Sequence, residues 1–309
     1  MRMLSGIGRQ VALAIAAGAL LAGCAETGGA RYPTPENAVA SLMAAVRADS
    51  DEQLAQVFGA DAAGLLASGD PVSDSGRRAH FVELYDEGHH IEQAEPGRAT
   101  LFVGPDDWPF PVPLVRRGAD WTFDTASGID EIVNRRIGRN ELDTIETCRA
   151  IVDAQREYAA LEIGGQPKGA YARYFLSRDP AAHDGLYWPT APGEPDSPLG
   201  QLVADAQAEG YALPSGAQGP QPYHGYLYRV LEKQGPSAPG GAAEYLVDGR
   251  LTRGFAVVAW PVEYGNSGIM TFLVAANGIV YESDLGEDTA RIAGALEAYD
   301  PDAHWAVSE

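Results

Sequence analysis

The side chains able to do chemistry are few and dispersed. Six histidines stand at His80, His89, His90, His183, His224 and His304. None has the His-Glu-x-x-His spacing that sets two imidazoles on one helix face, and no thiolate pair accompanies them, so no metal site is expected. Adjacent His89 and His90 point apart in helix or strand alike. Gly265-Asn266-Ser267-Gly268 lacks the spacing of a nucleophile elbow and reads as a turn before a strand. No Gly-rich phosphate loop or dinucleotide fingerprint occurs, so no cofactor is expected. Acid pairs such as Asp106-Asp107 are plentiful, but 43 acids make pairs expected by chance. Carboxylate catalysis depends on separations that only a fold supplies, and a carboxylate-dependent hydrolase stays open as an alternative.

Aromatic residues offer the better candidate. Tyr187 and Trp188 lie beside Pro189, and Tyr223, His224, Tyr226 and Tyr228 follow a Pro-rich entry. Stacking faces with polar rims suit sugars, peptides or protein edges, so Tyr187, Trp188, Tyr223, His224 and Tyr226 form the candidate ligand or partner surface. The plainer alternative is that they close the core of a loop-rich domain. Arg135 with Arg139, and Arg149 with Asp153, sit four apart on a helix. They admit an anion site, but a solvated, ion-paired face is the simpler reading.

The elements that must position these groups follow from periodicity. Thr34-Pro35-Glu36 is an N-cap, a first-turn proline and a first-turn acid, followed by Val39, Leu42, Met43 and Val46 on one helix face. A second short helix from Asp51 buries Leu54, Val57 and Phe58, and Ala67 to Asp74 reads as loop. Strands are expected at 98–103, 113–116 and 121–124. From Ile129 to Tyr158 runs the longest helical pattern, with a bend expected at Gly138 and a new cap at Asn140. Cys148 shares its apolar spacing with Leu142, Ile145 and Val152, which predicts a buried thiol. Gly164 to Pro222 is loop-rich, with one helix from Leu199 to Glu209. Strands follow at 226–231, 254–260 and 269–274, and Asn277-Gly278 turns the last into 279–282. A short helix with Ile292, Leu296 and Tyr299 closes the chain. The expected class is α+β: a small N-terminal helix-plus-antiparallel-sheet domain over 33–126, then a long helix packed on a C-terminal antiparallel sheet over 127–305.

The first residues form a short basic segment with Arg2 and Arg9, then an apolar run of thirteen residues from Val11 to Gly23. That run is too short to span roughly 30 Å of hydrocarbon and has the pattern of a signal peptide over 1–23. Its end, Leu21-Ala22-Gly23-Cys24, resembles the bacterial lipobox, which implies lipid on Cys24, with 24–32 as a tether. An ordinary secretory signal or an uncleaved anchor helix are the alternatives. Ala25 in place of Asp implies, by the sorting rule of such lipoproteins, the outer membrane facing the periplasm. Lipidation of Cys24 leaves Cys148 alone, so no internal disulfide is possible. The chain's net charge is −21, and loss of the signal makes it two charges more negative, which disfavours nucleic acid and anionic headgroups. Lys168 and Lys233 are the only lysines. The remaining chain of about 280 residues can bury a substantial core in two domains.

Several longer motifs then stand in order: Trp108-Pro109-Phe110-Pro111-Val112-Pro113-Leu114, Arg135-Arg136-Ile137-Gly138-Arg139-Asn140-Glu141-Leu142-Asp143, Asp153-Ala154-Gln155-Arg156-Glu157-Tyr158, Asp184-Gly185-Leu186-Tyr187-Trp188-Pro189 and Tyr223-His224-Gly225-Tyr226. With them the chain, from about Tyr32 to Trp305, resembles the bacterial envelope family catalogued as domain of unknown function 2950, which implies no reaction. The second half, with Leu186-Tyr187-Trp188-Pro189, Ala259-Trp260-Pro261 and Asn277-Gly278-Ile279-Val280-Tyr281, is also similar to the globular part of type IV pilins and pseudopilins. It departs from them in having its long helix internal and polar on one side. The expectation is a non-enzymatic, lipid-anchored envelope protein of interaction or assembly. Its partners would be the membrane through Cys24 and an envelope protein; a small-molecule or glycan binder using the aromatic loop is the other candidate.

Overall fold

The computed structural model describes residues 28–59, 62, 66–161, 167–179, 181–191, 193, 196–213 and 221–308. The expected signal peptide, Cys24 and the first part of the tether lie outside them. From Gly28 onward the expected tether is tied down: the Ala30 N–H bonds the Gln56 carbonyl at 2.9 Å, and Tyr32 bridges to Trp121.

Helix α1 (Pro35–Arg47) starts as its cap chemistry dictates. The Thr34 hydroxyl accepts the Asn37 N–H at 3.2 Å, and Pro35 fills a position whose missing N–H has no helical partner. Its buried face carries Val39, Leu42, Met43 and Val46. Helix α2 (Asp51–Phe58), capped by Ser50, buries Leu54, Val57 and Phe58. The stretch expected as loop at Ala67–Asp74 instead opens helix α3 (Pro71–Glu87), whose N-cap Asp70 accepts the Ser73 N–H at 3.2 Å. Asp70-Pro71 repeats the cap-and-proline pair of Thr34-Pro35, hidden among Gly, Ser and Asp. A further unforeseen element, strand β1 (His89–Glu95), pairs with β2 (Arg98–Val103). Strands β3 (Trp108–Pro109), β4 (Leu114–Arg117) and β5 (Asp120–Phe123) complete an antiparallel sheet ordered β1-β2-β4-β5, with β3 on β2. Ala99, Leu101 and Val103 alternate inward from β2 and join α1 and α2 around Phe58, Phe110 and Phe123 in the first hydrophobic core.

Helix α4 (Thr125–Ala160) runs 36 residues without a break. The expected bend and new cap are corrected here. Gly138 is tolerated in mid-helix at a cost of about 1 kcal/mol, and buried Asn140 spends its amide on other elements. Leu142, expected on the apolar stripe, is 63% exposed, whereas Cys148 is fully buried. Six residues at 3.6 per turn put the two about 120° apart around the helix.

Beyond α4, β6 (Tyr174–Leu176) and β7 (Gly185–Tyr187) form a parallel pair, and α5 (Gly200–Glu209) follows. Strand β8 (Tyr226–Leu231) leads to two short pairings, β9 (Lys233–Gln234) with β10 (Ala243–Glu244) and β11 (Leu246–Val247) with β12 (Arg250–Leu251). Strands β13 (Ala256–Pro261), β14 (Met270–Ala275) and β15 (Val280–Asp284), helix α6 (Thr289–Ala295) and strand β16 (Ala306–Val307) close the chain. The antiparallel sheet is ordered β16-β15-β14-β13-β8. Both α4 and α6 pack on β13, and every residue of that strand is buried, in keeping with its unbroken apolar sequence. The β14–β15 hairpin is present, but not as a tight two-residue turn. Only Gly278 takes positive φ (+75°), and its N–H bonds the Ala275 carbonyl at 2.9 Å, so the turn lies at Ala276-Asn277 with glycine following. The fold is α+β, with a long helix packed on a C-terminal antiparallel sheet and a second core gathered there. Among the described residues no helix is long and apolar enough to cross a membrane.

Candidate functional site

Helices α3 and α4 line one cavity and run antiparallel. Arg77 meets Asn140 at one end, and Phe81, Leu84 and Ile132 share the first core at the other. Arg77 Nη2 donates to Asn140 Oδ1 at 2.5 Å, and Asn140 Nδ2 donates to the Ser267 carbonyl at 2.8 Å. One turn away on α4, Arg136 Nη1 donates to Asn266 Oδ1 at 2.5 Å, and Asn266 Nδ2 reaches the Ala67 carbonyl at 2.9 Å. Both helices are thereby pinned to the Asn266-Ser267 turn.

The α3 cap does more than start a helix. Fully buried Asp70 accepts from the Tyr211 hydroxyl at 2.8 Å and from the Gly225 N–H at 2.9 Å, both through Oδ2. Gly225 belongs to a turn closed by reciprocal backbone bonds between Tyr223 and Tyr226 at 2.9 and 3.1 Å. His224 and Gly225 both have positive φ, +50° and +78°, the pattern of a type I′ turn, in which a histidine is tolerated and a glycine preferred. The turn presents His224 between two acids, with Nε2 at 2.6 Å from Glu209 of α5 and Nδ1 at 3.5 Å from Asp143 of α4. Its ring stacks on Tyr223 at 4.1 Å.

Between these elements lies a cavity of about 780 Å³. Arg77, Arg78, Arg135, Arg136 and Arg139 line it, against Asp74, Asp106, Asp143 and Glu209. Arg78 is neutralised by Asp49 and Asp51, each at 2.6 Å, and Arg135 by Glu131 at 2.5 Å. Among the described residues Arg77 has Asp74, at 3.9 Å, as its only ion-pair partner, and its buried Nη1 meets no hydrogen-bond acceptor; nor does Nη1 of Arg135. Exposed Arg139 has no hydrogen bond or ion pair among the described residues. Burial, then the charge of Arg136, pushes the Arg77 guanidinium pKa down, and burial does the same to Arg136. Burial raises the Asp143 carboxyl, while His224 and Arg139 oppose that rise. Arginines crowding one another at a partly dry wall, with buried N–H groups of Arg77 and Arg135 that meet no acceptor, leave donors that an anion would satisfy.

The five aromatic candidates do not form one surface. Trp188 is buried in the second core, 6.4 Å edge-on from Tyr158, and Tyr187 packs on the same core from β7. Tyr226 is fully buried, with its hydroxyl donating to the Met270 carbonyl at 3.0 Å. Tyr223 stacks behind His224, and His224 alone of the five lines the cavity. His89 stacks on Tyr85 at 3.6 Å and His90 on Phe102 at 5.0 Å, so the adjacent histidines do separate. Among the described residues no three His, Cys, Asp or Glu side chains are grouped to hold a metal ion. Cys148 is enclosed and its thiol pushed up to about 12, which makes it a poor nucleophile. Asp153 pairs with Arg156 at 2.9 Å and not with Arg149. Asp70, Arg77, Arg136, Glu209 and Tyr211 went unnoticed as site residues in the sequence. The Asp70-Pro71 cap signal would have revealed α3 and, with it, the opposing arginines.

Comparison with known proteins agrees with the motif resemblance: the family model described as Protein of unknown function (DUF2950) matches residues 30–307. No curated protein and no solved structure matches the chain.

Proposed function

The chain belongs to the DUF2950 family, and from its cavity we propose that it is a lipid-anchored envelope protein that binds a small anionic molecule between α3 and α4. The observation that carries this reading is the presence on one cavity of Arg77 and Arg139, neither hydrogen-bonded to a carboxylate among the described residues, in a chain whose net charge is −21. Arginine wherever it is not paired on such a surface marks where negative charge is wanted. The lipobox ending at Cys24 supports the anchor and the outer-membrane address. Binding, rather than turnover, accords with a wall of guanidinium donors and an occluded thiol. The test is thermal unfolding of the lipidated full chain in neutral nanodiscs against a panel of phosphates and carboxylates. A stabilisation that Arg139→Gln diminishes and added salt weakens is expected; no stabilisation by any anion would sink the reading.

An assembly role is the second reading. It is favoured by the packing of α4 on the C-terminal sheet, the arrangement expected from the motif resemblance to pilin globular parts, and by Leu142 and Val307 lying exposed at 63% and 59%. Cross-linking in intact cells that captures a second copy through these residues would support it.

A further inference from the structure

The cavity changes character along its length, and from this we infer that its ligand is an anionic amphiphile: one phosphate or carboxylate head on an apolar body about 10 Å long. The inference rests on the anion-binding reading above. Along α4 the lining residues run Ile132, Arg135, Arg136, Arg139, Asp143; along antiparallel α3 the side chains run Leu84, Phe81, His80, Arg78, Arg77, Asp74, Ser73, Val72. From Leu84 to Arg77 and from Ile132 to Arg139 both helices pass from apolar to cationic in the same direction. Seven residues separate Leu84 from Arg77 and Ile132 from Arg139, which at 1.5 Å per residue is about 10 Å. The apolar end is walled by Leu42, Phe58, Phe81, Phe110 and Ile132, side chains a bare anion has no use for. The cationic end holds Arg77, Arg136 and Arg139, with Asp74 at 3.9 Å from Arg77 and with Asp143 and Glu209 on either side of His224. Arg135, 4.7 Å over the Trp108 ring, stands between the two ends. A cavity of about 780 Å³ accommodates a single-chain amphiphile and is far larger than one inorganic anion requires.

The proposal is tested by calorimetric titration of the lipidated full chain in phosphatidylcholine nanodiscs, with empty nanodiscs subtracted. The probes are octyl phosphate, inorganic phosphate and octanol. Octyl phosphate is expected to bind at least about tenfold more tightly than either of the others. Arg139→Gln should weaken it about tenfold, the loss of one charge-assisted hydrogen bond, without unfolding an exposed site. Ile132→Ser should weaken octyl phosphate while leaving inorganic phosphate unchanged. Equal affinity for inorganic and octyl phosphate, both sensitive to Arg139→Gln, would overturn the amphiphile and leave the anion site standing. Equal affinity for octanol would overturn it too, since the head would then be idle. Binding of no probe would remove both readings. Nanodiscs containing phosphatidylglycerol separate the sources: competition with octyl phosphate assigns the head to a membrane lipid, and its absence to a soluble amphiphile.

Discussion

Arg77 and Asn140 are joined across 63 residues of chain, with Nη2 donating to Oδ1 at 2.5 Å, while the same asparagine amide donates to Ser267 from a third part of the fold. One fully buried amide thus sets the spacing of the two helices that wall the cavity. Asn140→Leu keeps the branched shape and removes both bonds, leaving the Arg77 Nη2 and the Ser267 carbonyl without that partner. A loss of about 2–3 kcal/mol is expected in urea unfolding, and a loss below about 0.5 kcal/mol would show the pair to be incidental.

Two glycines on either side of this contact should respond oppositely to alanine. At Gly225, φ is +78° and a Cβ would stand 2.4 Å from Asn140 Nδ2, so Gly225→Ala should destabilise by more than about 1 kcal/mol. At Gly138 a Cβ meets nothing within 4 Å, and Gly138→Ala should stabilise by up to about 1 kcal/mol if α4 is unbroken there. Loss of stability in the second variant would restore the bend that periodicity had indicated.

Removing the acid that opposes the arginines should tighten anion binding. Burial already raises the Asp143 carboxyl pKa, so lowering the pH protonates it earlier than an exposed aspartate and takes negative charge from the cavity. Asp143→Asn should mimic that state at neutral pH. About a threefold to tenfold gain in octyl phosphate affinity, and a flatter acid limb of its pH profile, is expected by titration calorimetry. Unchanged affinity and an unchanged profile would place the ligand elsewhere.

Alkaline stability follows from the tyrosines. Burial pushes Tyr158, Tyr245 and Tyr299 up to about 12, from an ordinary value of 10.0. In this window the native state keeps protons that the unfolded state releases, so stability falls as pH rises. Their contribution is complete below pH 10.0 and is lost as pH climbs towards about 12. Thermal unfolding followed by circular dichroism should therefore drop steeply above pH 10; a flat profile to pH 12 would contradict the burial of these phenols.

For the anchor, Cys24→Ser should leave the precursor unprocessed or release the protein from the membrane fraction. Fractionation and immunoblotting measure this directly. Normal processing with full membrane retention would count against lipid at that position.

The one-dimensional pattern carried most of the local structure. Thr34-Pro35 dictated where α1 starts, the alternation of Ala99, Leu101 and Val103 dictated a half-buried strand, and the run Ala256–Pro261 dictated a strand buried throughout. These depend on contacts made within a few residues or on a single repeating face, so composition suffices. Where local signals conflicted, tertiary packing decided. Asp70 lies among turn-forming residues, yet it caps a helix because Tyr211 and Gly225, more than 140 residues away, complete its hydrogen bonds. Gly138 did not bend α4 because Arg136 and Asn140, flanking it, are both held by the Asn266-Ser267 turn. The cavity was invisible for the same reason. Arg77 comes from α3, whose start reads as loop, and Arg136 and Arg139 from a helix 59 residues on, where the Arg135 and Arg139 spacing reads as a solvated face. Only the placement of α3 and α4 around one cavity brings their charges together, whereas the aromatics that looked like a surface, Trp188 and Tyr226, are consumed by the core, since burying such large rings is worth more to the fold than exposing them.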